Sequence, residues 1–74
     1  MVTVYTSSTC HYCHELIDWL CDNEISFNEK NVSTDSDARK ELMSKGFMGV
    51  PVTNYNGTYV QGFDIKKLSE LLLK

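Results

Sequence analysis

Residues 2–23 have the sequence VTVYTSSTCHYCHELIDWLCDN. The first four of these residues alternate and are rich in β-branched side chains, which predicts a strand over Val2–Tyr5. A polar loop follows at residues 7–9, and from Cys10 to about Asn23 the pattern is that of an amphipathic helix. The apolar positions of this helix are Cys13, Leu16, Ile17, Leu20 and Cys21. The sequence therefore places the pair Cys10–Cys13 where a strand gives way to a helix.

The position and spacing of these two cysteines are typical of disulfide exchange. A helix N-terminus offers unpaired N–H groups and the positive end of the helix dipole, and both stabilise a thiolate. Because the thiolate is the reactive form, we predict that Cys10 is the nucleophile. Cys13 lies three residues later on the same face of the first turn, so it is placed to resolve a mixed disulfide.

Composition excludes several classes of protein. The 74 residues suffice for one small domain, which we expect to span residues 1–74. The net charge is −3 and the basic residues are scattered, so we expect no nucleic-acid binding. No apolar run approaches the roughly 20 residues that cross a bilayer, and no secretory leader pattern is visible. Three cysteines, two of them in one helical turn, differ from the even, dispersed set of a disulfide-stapled secreted protein. We therefore expect a cytoplasmic protein that is a monomer and does not bind membranes.

The middle of the chain predicts a second strand and a second helix. The strand is expected over residues 25–32, on the strength of Ile25, Phe27 and Val32. Thr34, with an acid three residues later, resembles a capping box, so we expect the helix to begin there. Gly46 suits the left-handed position that ends a helix. This helix carries the apolar residues Ala38, Leu42 and Met43.

The last third of the chain predicts a hairpin and a final helix. Asn56-Gly57 lies between two apolar segments, which is the strongest short-range signal for a β-hairpin. Asp64 is placed to cap the last helix, whose inward residues are expected to be Ile65, Leu68, Leu71 and Leu72. The element order is then β-α-β-α-β-β-α. We predict an α/β fold, with a four-stranded mixed sheet and helices on both faces.

At this point the chain resembles the glutaredoxins, the smallest members of the thioredoxin-fold superfamily. The residues that carry the resemblance are Tyr5-Thr6, Thr9-Cys10-His11-Tyr12-Cys13, Gly49-Val50-Pro51-Val52 and Gly62-Phe63-Asp64. The resemblance covers essentially the whole chain. It implies a minimal thioredoxin fold and a dithiol oxidoreductase that reduces protein or glutathione mixed disulfides. It also implies that no cofactor is tightly bound and that glutathione is a candidate co-substrate.

The same resemblance assigns candidate substrate-binding residues. It implies that Pro51 follows a cis peptide bond and faces the cysteines, and that Val50 offers its backbone to an extended substrate. Gly62, Phe63 and Asp64 either cap the last helix only or also receive the γ-glutamyl end of glutathione. Tyr12 is expected to border the substrate groove, and a protonated His11 would stabilise the Cys10 thiolate.

Three departures from the usual glutaredoxin pattern concern the reductant. His11 stands where the family commonly has proline, and Ser7-Ser8 stands where many members have a lysine that contacts a glutathione carboxylate. Asp64 is followed by Ile65 rather than by a second acid. The run Lys45–Pro51 looks closer to glutaredoxin-like redoxins, some of which are reduced by thioredoxin reductase. The expected partners are therefore disulfide-containing proteins and, as reductant, glutathione or a thioredoxin-reductase-type flavoprotein.

Two further expectations concern metals and the third cysteine. Cys10, His11, Cys13 and His14 are four potential ligands within five residues, so a small metal carrier that uses Cys10 and Cys13 is the alternative function. Structural zinc sites, however, usually take ligands from two separated segments, and here there is only one. Cys21 falls on the apolar stripe of the first helix, and we expect it to be a small buried side chain.

Overall fold

A computed structural model describes residues 2–47 and 49–73 of the chain. Its elements are β1 (Val2–Thr6), α1 (His11–Asp22), β2 (Phe27–Asn31), α2 (Ser36–Ser44), β3 (Val52–Tyr55), β4 (Thr58–Gln61) and α3 (Ile65–Leu72). The predicted order β-α-β-α-β-β-α is confirmed. Met48, which belongs to the run that resembles the redoxins, lies outside the described residues.

The four strands form one mixed sheet in the order β2-β1-β3-β4. β1 is parallel to β2 and antiparallel to β3, and β3 and β4 form an antiparallel hairpin. The turn of this hairpin is Asn56-Gly57, and both residues have positive φ angles, 50° and 83°. This is the geometry that the Asn-Gly pair favours, because asparagine and glycine tolerate the left-handed region best. The architecture is the minimal thioredoxin fold that the resemblance to glutaredoxins implies.

Each face of the sheet has its own hydrophobic core. The register aligns Val4 with Thr53 and Thr53 with Val60, so these three side chains share one face. The core on that face, against α1 and α3, consists of Val2, Val4, Leu16, Leu20, Val60 and Leu68. The core on the other face, against α2, consists of Tyr5, Ala38, Leu42 and Val52. Because strand side chains alternate, neighbouring residues Val4 and Tyr5 belong to different cores.

Two predicted element boundaries are wrong by a few residues. β2 covers Phe27–Asn31 rather than residues 25–32. The N-cap of α2 is Asp35 rather than Thr34, because the Asp35 carboxylate accepts hydrogen bonds from the N–H groups of Asp37 and Ala38, both at 3.1 Å. A carboxylate at this position also complements the positive end of the helix dipole, which a hydroxyl does not.

Cys21 is exposed, so the prediction that it is buried is wrong. The buried residues of α1 are Cys13, Leu16 and Leu20. Since an α-helix turns by about 100° per residue, Cys21 lies about 100° further around the axis than Leu20 and beyond the edge of the buried stripe.

Ile65, which the sequence predicts to point inward, and Met43, an apolar residue of α2, are exposed as well. Met43 is 53% exposed and Ile65 is 48% exposed. Met43 follows the buried Leu42 and is rotated away from the sheet by the same helical step of about 100°. Ile65 is the first residue of α3, about 60° around the axis from the buried Leu68. None of the helices in the described part of the chain has the length and apolar character needed to span a bilayer.

Candidate functional site

The two cysteines occupy the start of α1 as the sequence predicts. Cys10 and Cys13 are disulfide-bonded, with their Cα atoms 5.3 Å apart. Cys10 is the N-cap of α1, and its Sγ accepts a hydrogen bond from the N–H of Cys13 at 3.2 Å. Cys10 is half-buried, whereas Cys13 is only 2% exposed. Of the two cysteines, Cys10 is therefore both the more exposed and the one at the helix N-terminus.

The loop before Cys10 is held by the turn between β2 and α2. The N–H of Ser8 donates to Ser33 Oγ at 3.2 Å, and Asn31 Nδ2 donates to Ser8 Oγ at 3.3 Å. The Asn31 side chain is itself fixed, because its Oδ1 accepts from the Ser33 N–H at 2.8 Å. One residue upstream of the loop, buried Thr6 donates through its hydroxyl to Glu29 on β2. The hydrogen bonds of Thr6 and Ser8 join residues about 25 positions apart, so they leave no local pattern in the sequence.

The Val50-Pro51 segment reaches the cysteine pair from the other side. The peptide bond between the two residues is cis, as the resemblance implies. The carbonyl oxygen of Val50 lies 3.7 Å from Cys10 Sγ. Pro51 is buried, and its carbonyl accepts a hydrogen bond of 2.8 Å from the N–H of Gly62. Cys10, Val50, Pro51 and Gly62 are thus joined by successive contacts.

Phe63 and Asp64 form the entrance to α3. Gly62 has a φ of +85°, which only glycine adopts readily, and the chain turns there from β4 towards the helix. Asp64 is the N-cap of α3, and its carboxylate accepts from the N–H of Lys67 at 3.2 Å. Phe63 is half-buried and packs against the core shared by α1 and α3. The capping role of Asp64 is confirmed; a contact of these residues with a substrate stays a prediction.

His11 and Tyr12 are the exposed residues between the cysteines. The His11 side chain is 82% exposed, and its Nε2 lies 3.6 Å from Glu15 Oε1, one helical turn along α1. Tyr12 is 59% exposed, and its ring meets the His11 ring edge-on, with centroids 5.7 Å apart. In this arrangement the imidazole contacts Glu15 and Tyr12.

A groove opens beside Val50, between α2 and the turns on either side of it. Its volume is about 320 Å³, and most of the described residues that line it are apolar. The charged residue among them is Arg39. The apolar lining residues are Val32, Leu42, Met43, Phe47 and Val50. Arg39 is not among the candidate site residues that the sequence predicts. Its spacing of three and four residues from Leu42 and Met43 nevertheless places all three along one side of α2.

Lys45 is a second cation close in sequence to the Val50-Pro51 segment. Its Nζ lies 5.9 Å from the centroid of the Tyr59 ring, and Lys45 is not among the described residues that line the groove. As for metals, residues 2–47 and 49–73 contain no cluster of three or more His, Cys, Asp or Glu side chains arranged as ligands. The four candidate ligands at residues 10–14 therefore do not form such a cluster.

Comparison with known proteins identifies the family of this chain. The glutaredoxin family model matches residues 2–60. A glutaredoxin-like protein NrdH of Lactococcus lactis is 32% identical over 71 residues, which are 96% of this chain and 99% of that protein. The crystal structure of the thioredoxin-like protein BC3987 superposes with a TM-score of 0.91 at 32% identity, covering 97% of this chain and 100% of the other. The glutaredoxin-like NrdH-redoxin from Escherichia coli gives a TM-score of 0.88 at 26% identity, covering 95% and 92%. The family match, these relatives and a cysteine pair at disulfide distance show that the chain belongs to the glutaredoxin family and is a dithiol thiol–disulfide oxidoreductase.

Proposed function

We propose that this protein reduces disulfides of other proteins through Cys10 and Cys13, and that a thioredoxin-reductase-type flavoprotein reduces it in turn. The observation that carries the roles of the cysteines is their difference in environment. Cys10 caps the helix and is half-buried, whereas Cys13 is 2% exposed. An incoming disulfide therefore meets Cys10 first.

The reaction then proceeds as two exchanges. The Cys10 thiolate attacks one sulfur of the substrate disulfide, and the other sulfur leaves as a thiolate with the electron pair of the broken bond. The Cys13 thiolate next attacks Cys10 in the mixed disulfide, which releases the second substrate thiolate and closes the Cys10–Cys13 disulfide. The substrate gains two electrons and the protein loses two, so the chain needs no bound cofactor.

The residues around the pair are proposed to hold the substrate. Val50 is adjacent to the Cys10 sulfur, so its backbone is placed to pair with an extended segment that carries the reacting cysteine. Pro51 has no N–H and therefore presents no backbone donor beside the sulfurs. The bound substrate is proposed to be bordered on its other sides by His11, Tyr12 and residues 62–64.

The polar loop before Cys10 supports a flavoprotein as the reductant. Glutathione carries a carboxylate at each end, and residues 7–9 offer no cation to either of them. Losing a charge-assisted hydrogen bond typically costs roughly 1.5–3 kcal/mol, or about ten- to over a hundredfold in affinity. We also propose that the protein acts as a monomer and that it is cytoplasmic. The exposed Cys21 thiol supports the compartment, because free thiols persist where the surroundings are reducing.

The choice of reductant is tested by offering the oxidised protein two reducing systems separately. NADPH with thioredoxin reductase should reduce it efficiently, while glutathione with glutathione reductase should do so at least about tenfold more slowly than it reduces a glutaredoxin with the early lysine. NADPH oxidation followed by absorbance measures both rates. Cys10→Ser is the control and should give no turnover in either system.

A matched variant locates the cause. Ser7→Lys restores a cation three residues before Cys10 and should raise the glutathione rate while leaving the flavoprotein rate nearly unchanged. If the unmodified protein already turns over with glutathione as fast as the lysine-containing glutaredoxin, the proposed reductant is wrong. If neither system reduces the protein, the proposed function itself fails.

A further inference from the structure

The groove beside Val50 has two properties that the exchange reaction does not use. It lies next to the residue that contacts the reacting sulfur, because Val50 lines it and the Val50 carbonyl oxygen lies 3.7 Å from Cys10 Sγ. Its described lining is apolar except for Arg39, Ser33 and Gly49. A substrate segment that lies across Val50 therefore passes directly over an apolar depression with a cation on its wall.

The apolar side of the groove is available to a substrate side chain. Met43 is 53% exposed although it is a large apolar residue on a helix that packs against the sheet with Ala38 and Leu42. Phe47 is half-buried, and its ring packs against the Tyr59 ring, with ring centroids 5.4 Å apart. Covering such surface with another apolar side chain is favourable by about 25 cal/mol for each Å² removed from water.

The cation of the groove is not engaged within the described part of the chain. The ion pairs found there join His11 to Glu15 and Lys30 to Glu41, and neither involves Arg39. The backbone N–H of Arg39 donates to the Asp35 carbonyl within the helix. No described acidic side chain forms an ion pair with the Arg39 guanidinium. Guanidinium groups bind carboxylates with two parallel hydrogen bonds, so an acidic group is the complementary partner.

We propose that this groove selects among disulfide substrates. The preferred substrate is a protein segment with an apolar side chain and an acidic side chain within a few residues of its reacting cysteine; the apolar side chain occupies the groove and the acid pairs with Arg39. This inference rests on the proposed function. Glutathione is not the preferred ligand of the groove, because it lacks an apolar side chain to fill it.

The test uses synthetic peptides whose single cysteine is joined by a disulfide to 2-nitro-5-thiobenzoate. The Cys10 thiolate attacks the peptide sulfur and nitrothiobenzoate leaves as a coloured thiolate, after which Cys13 releases the peptide and closes the protein disulfide. Two peptides with leucine beside the cysteine differ only in a neighbouring Glu or Lys. The Glu peptide should react roughly two- to fivefold faster, which is the range for a solvent-exposed ion pair. Because salt screens exposed charges, the preference should shrink between low and high ionic strength.

Charge reversal at the groove separates this proposal from non-specific attraction. Arg39→Glu should invert the preference between the two peptides. Lys40→Glu makes the same change in net charge at the next position of α2, at a residue that does not line the groove, and should leave the preference nearly unchanged. Equal rates for both peptides in the unmodified protein, or equal effects of the two variants, would contradict the proposal.

The apolar part of the groove is tested in the same assay. Met43→Gln keeps the length of an exposed side chain but makes it polar. It should therefore reduce the preference for leucine over serine beside the cysteine by roughly threefold, a smaller effect than the free energy of burying one methylene group would give. A preference that Met43→Gln leaves intact would exclude this surface as the leucine site.

If Arg39→Glu slows the reduction of glutathione disulfide as much as that of the Glu peptide, the groove is a glutathione site and the proposal is wrong. If no peptide releases nitrothiobenzoate, the failure belongs to the proposed function instead.

Discussion

At the level of single residues, the two cysteines differ in what surrounds each sulfur. The Cys10 sulfur accepts a hydrogen bond from the Cys13 N–H and lies next to the Val50 carbonyl. It is at the N-terminus of α1, where the helix dipole favours negative charge. Cys13 is one turn further in and almost fully buried. Two identical side chains three residues apart are therefore suited to different steps of one reaction.

The first prediction assigns these steps by trapping. In a Cys21→Ala background, reduced Cys13→Ser should accumulate a stable mixed disulfide on Cys10 when it is mixed with a peptide disulfide, because no resolving thiol remains. Cys10→Ser should form no adduct, since Cys13 is not accessible to the substrate. Intact-mass measurement followed by peptide mapping locates the adduct, and an adduct on Cys13 in the Cys10→Ser protein would reverse the assignment.

The second prediction concerns the third cysteine. Cys21 is exposed and lies about 100° around the helix from Leu20. Cys21→Ala should therefore leave turnover unchanged and should change the free energy of unfolding by no more than about 0.5 kcal/mol. Leu20→Ala, one residue earlier at a fully buried position, should cost about 2–5 kcal/mol in the same urea unfolding experiment. Loss of turnover in folded Cys21→Ala would identify Cys21 as a third redox participant.

At the level of elements, α2 is tied to the sheet by a polar cluster around Glu41. The Tyr5 hydroxyl on β1 donates to Glu41 Oε1 at 2.7 Å, and Lys30 Nζ on β2 lies 3.5 Å from Glu41 Oε2. The hydrogen bond from Tyr5 lowers the pKa of the Glu41 carboxyl, and nearby Lys30 and Lys45 add to this effect. Burial, together with that same carboxylate, raises the pKa of the Tyr5 hydroxyl. The cluster therefore favours a charged Glu41 and a neutral Tyr5.

The third prediction follows from the sign of these shifts. A carboxyl with a lowered pKa in the folded state stabilises the fold above the ordinary carboxyl pKa of about 4.3, and this contribution is lost as the pH falls through the folded value. Hence Glu41→Gln should be less stable than the unmodified protein at pH 7, and the difference should shrink towards pH 3. We expect about 1 kcal/mol at pH 7, below the upper values for charged acceptors, because 41% of the Glu41 side chain is exposed.

Urea unfolding at pH 7 and at pH 3 measures this difference. Glu70→Gln on α3 is the matched control, since it removes a carboxylate from an exposed position outside the cluster, and its effect should stay within about 0.5 kcal/mol at both pH values. A Glu41→Gln difference that is constant with pH would show that the carboxylate is not the source of the stabilisation.

At the level of the whole molecule, the sheet brings together three segments that are far apart in the sequence. β1 leads into Cys10, the segment before β3 supplies Val50 and Pro51, and β4 leads through Gly62 into α3. In the sheet β3 lies between β1 and β4 and pairs with both. The Gly62 N–H bonded to Pro51 and the Val50 carbonyl beside Cys10 are consequences of that adjacency.

Much of this arrangement is predictable from local patterns. The alternation of Val2–Tyr5, the helical spacing of Leu16 and Leu20, and the Asn56-Gly57 turn each depend on residues close in the chain, so the sequence alone identifies the elements and their order. The Cys10–Cys13 pair is equally local, because its chemistry follows from three-residue spacing at a helix N-terminus. The resemblance to glutaredoxins adds the cis bond before Pro51, which local patterns do not indicate.

Tertiary structure alone decides which side of each helix is covered and what lies beside the site. The sequence predicts that Cys21 is buried and that Ile65 points inward. Both are exposed, as is the apolar Met43, because the sheet covers only a limited arc of each helix. The groove with Arg39 and the bonds from Asn31 and Ser33 to the loop before Cys10 join segments distant in the chain. Local periodicity reports the direction of a side chain along its own element, whereas such contacts depend on how elements pack against one another.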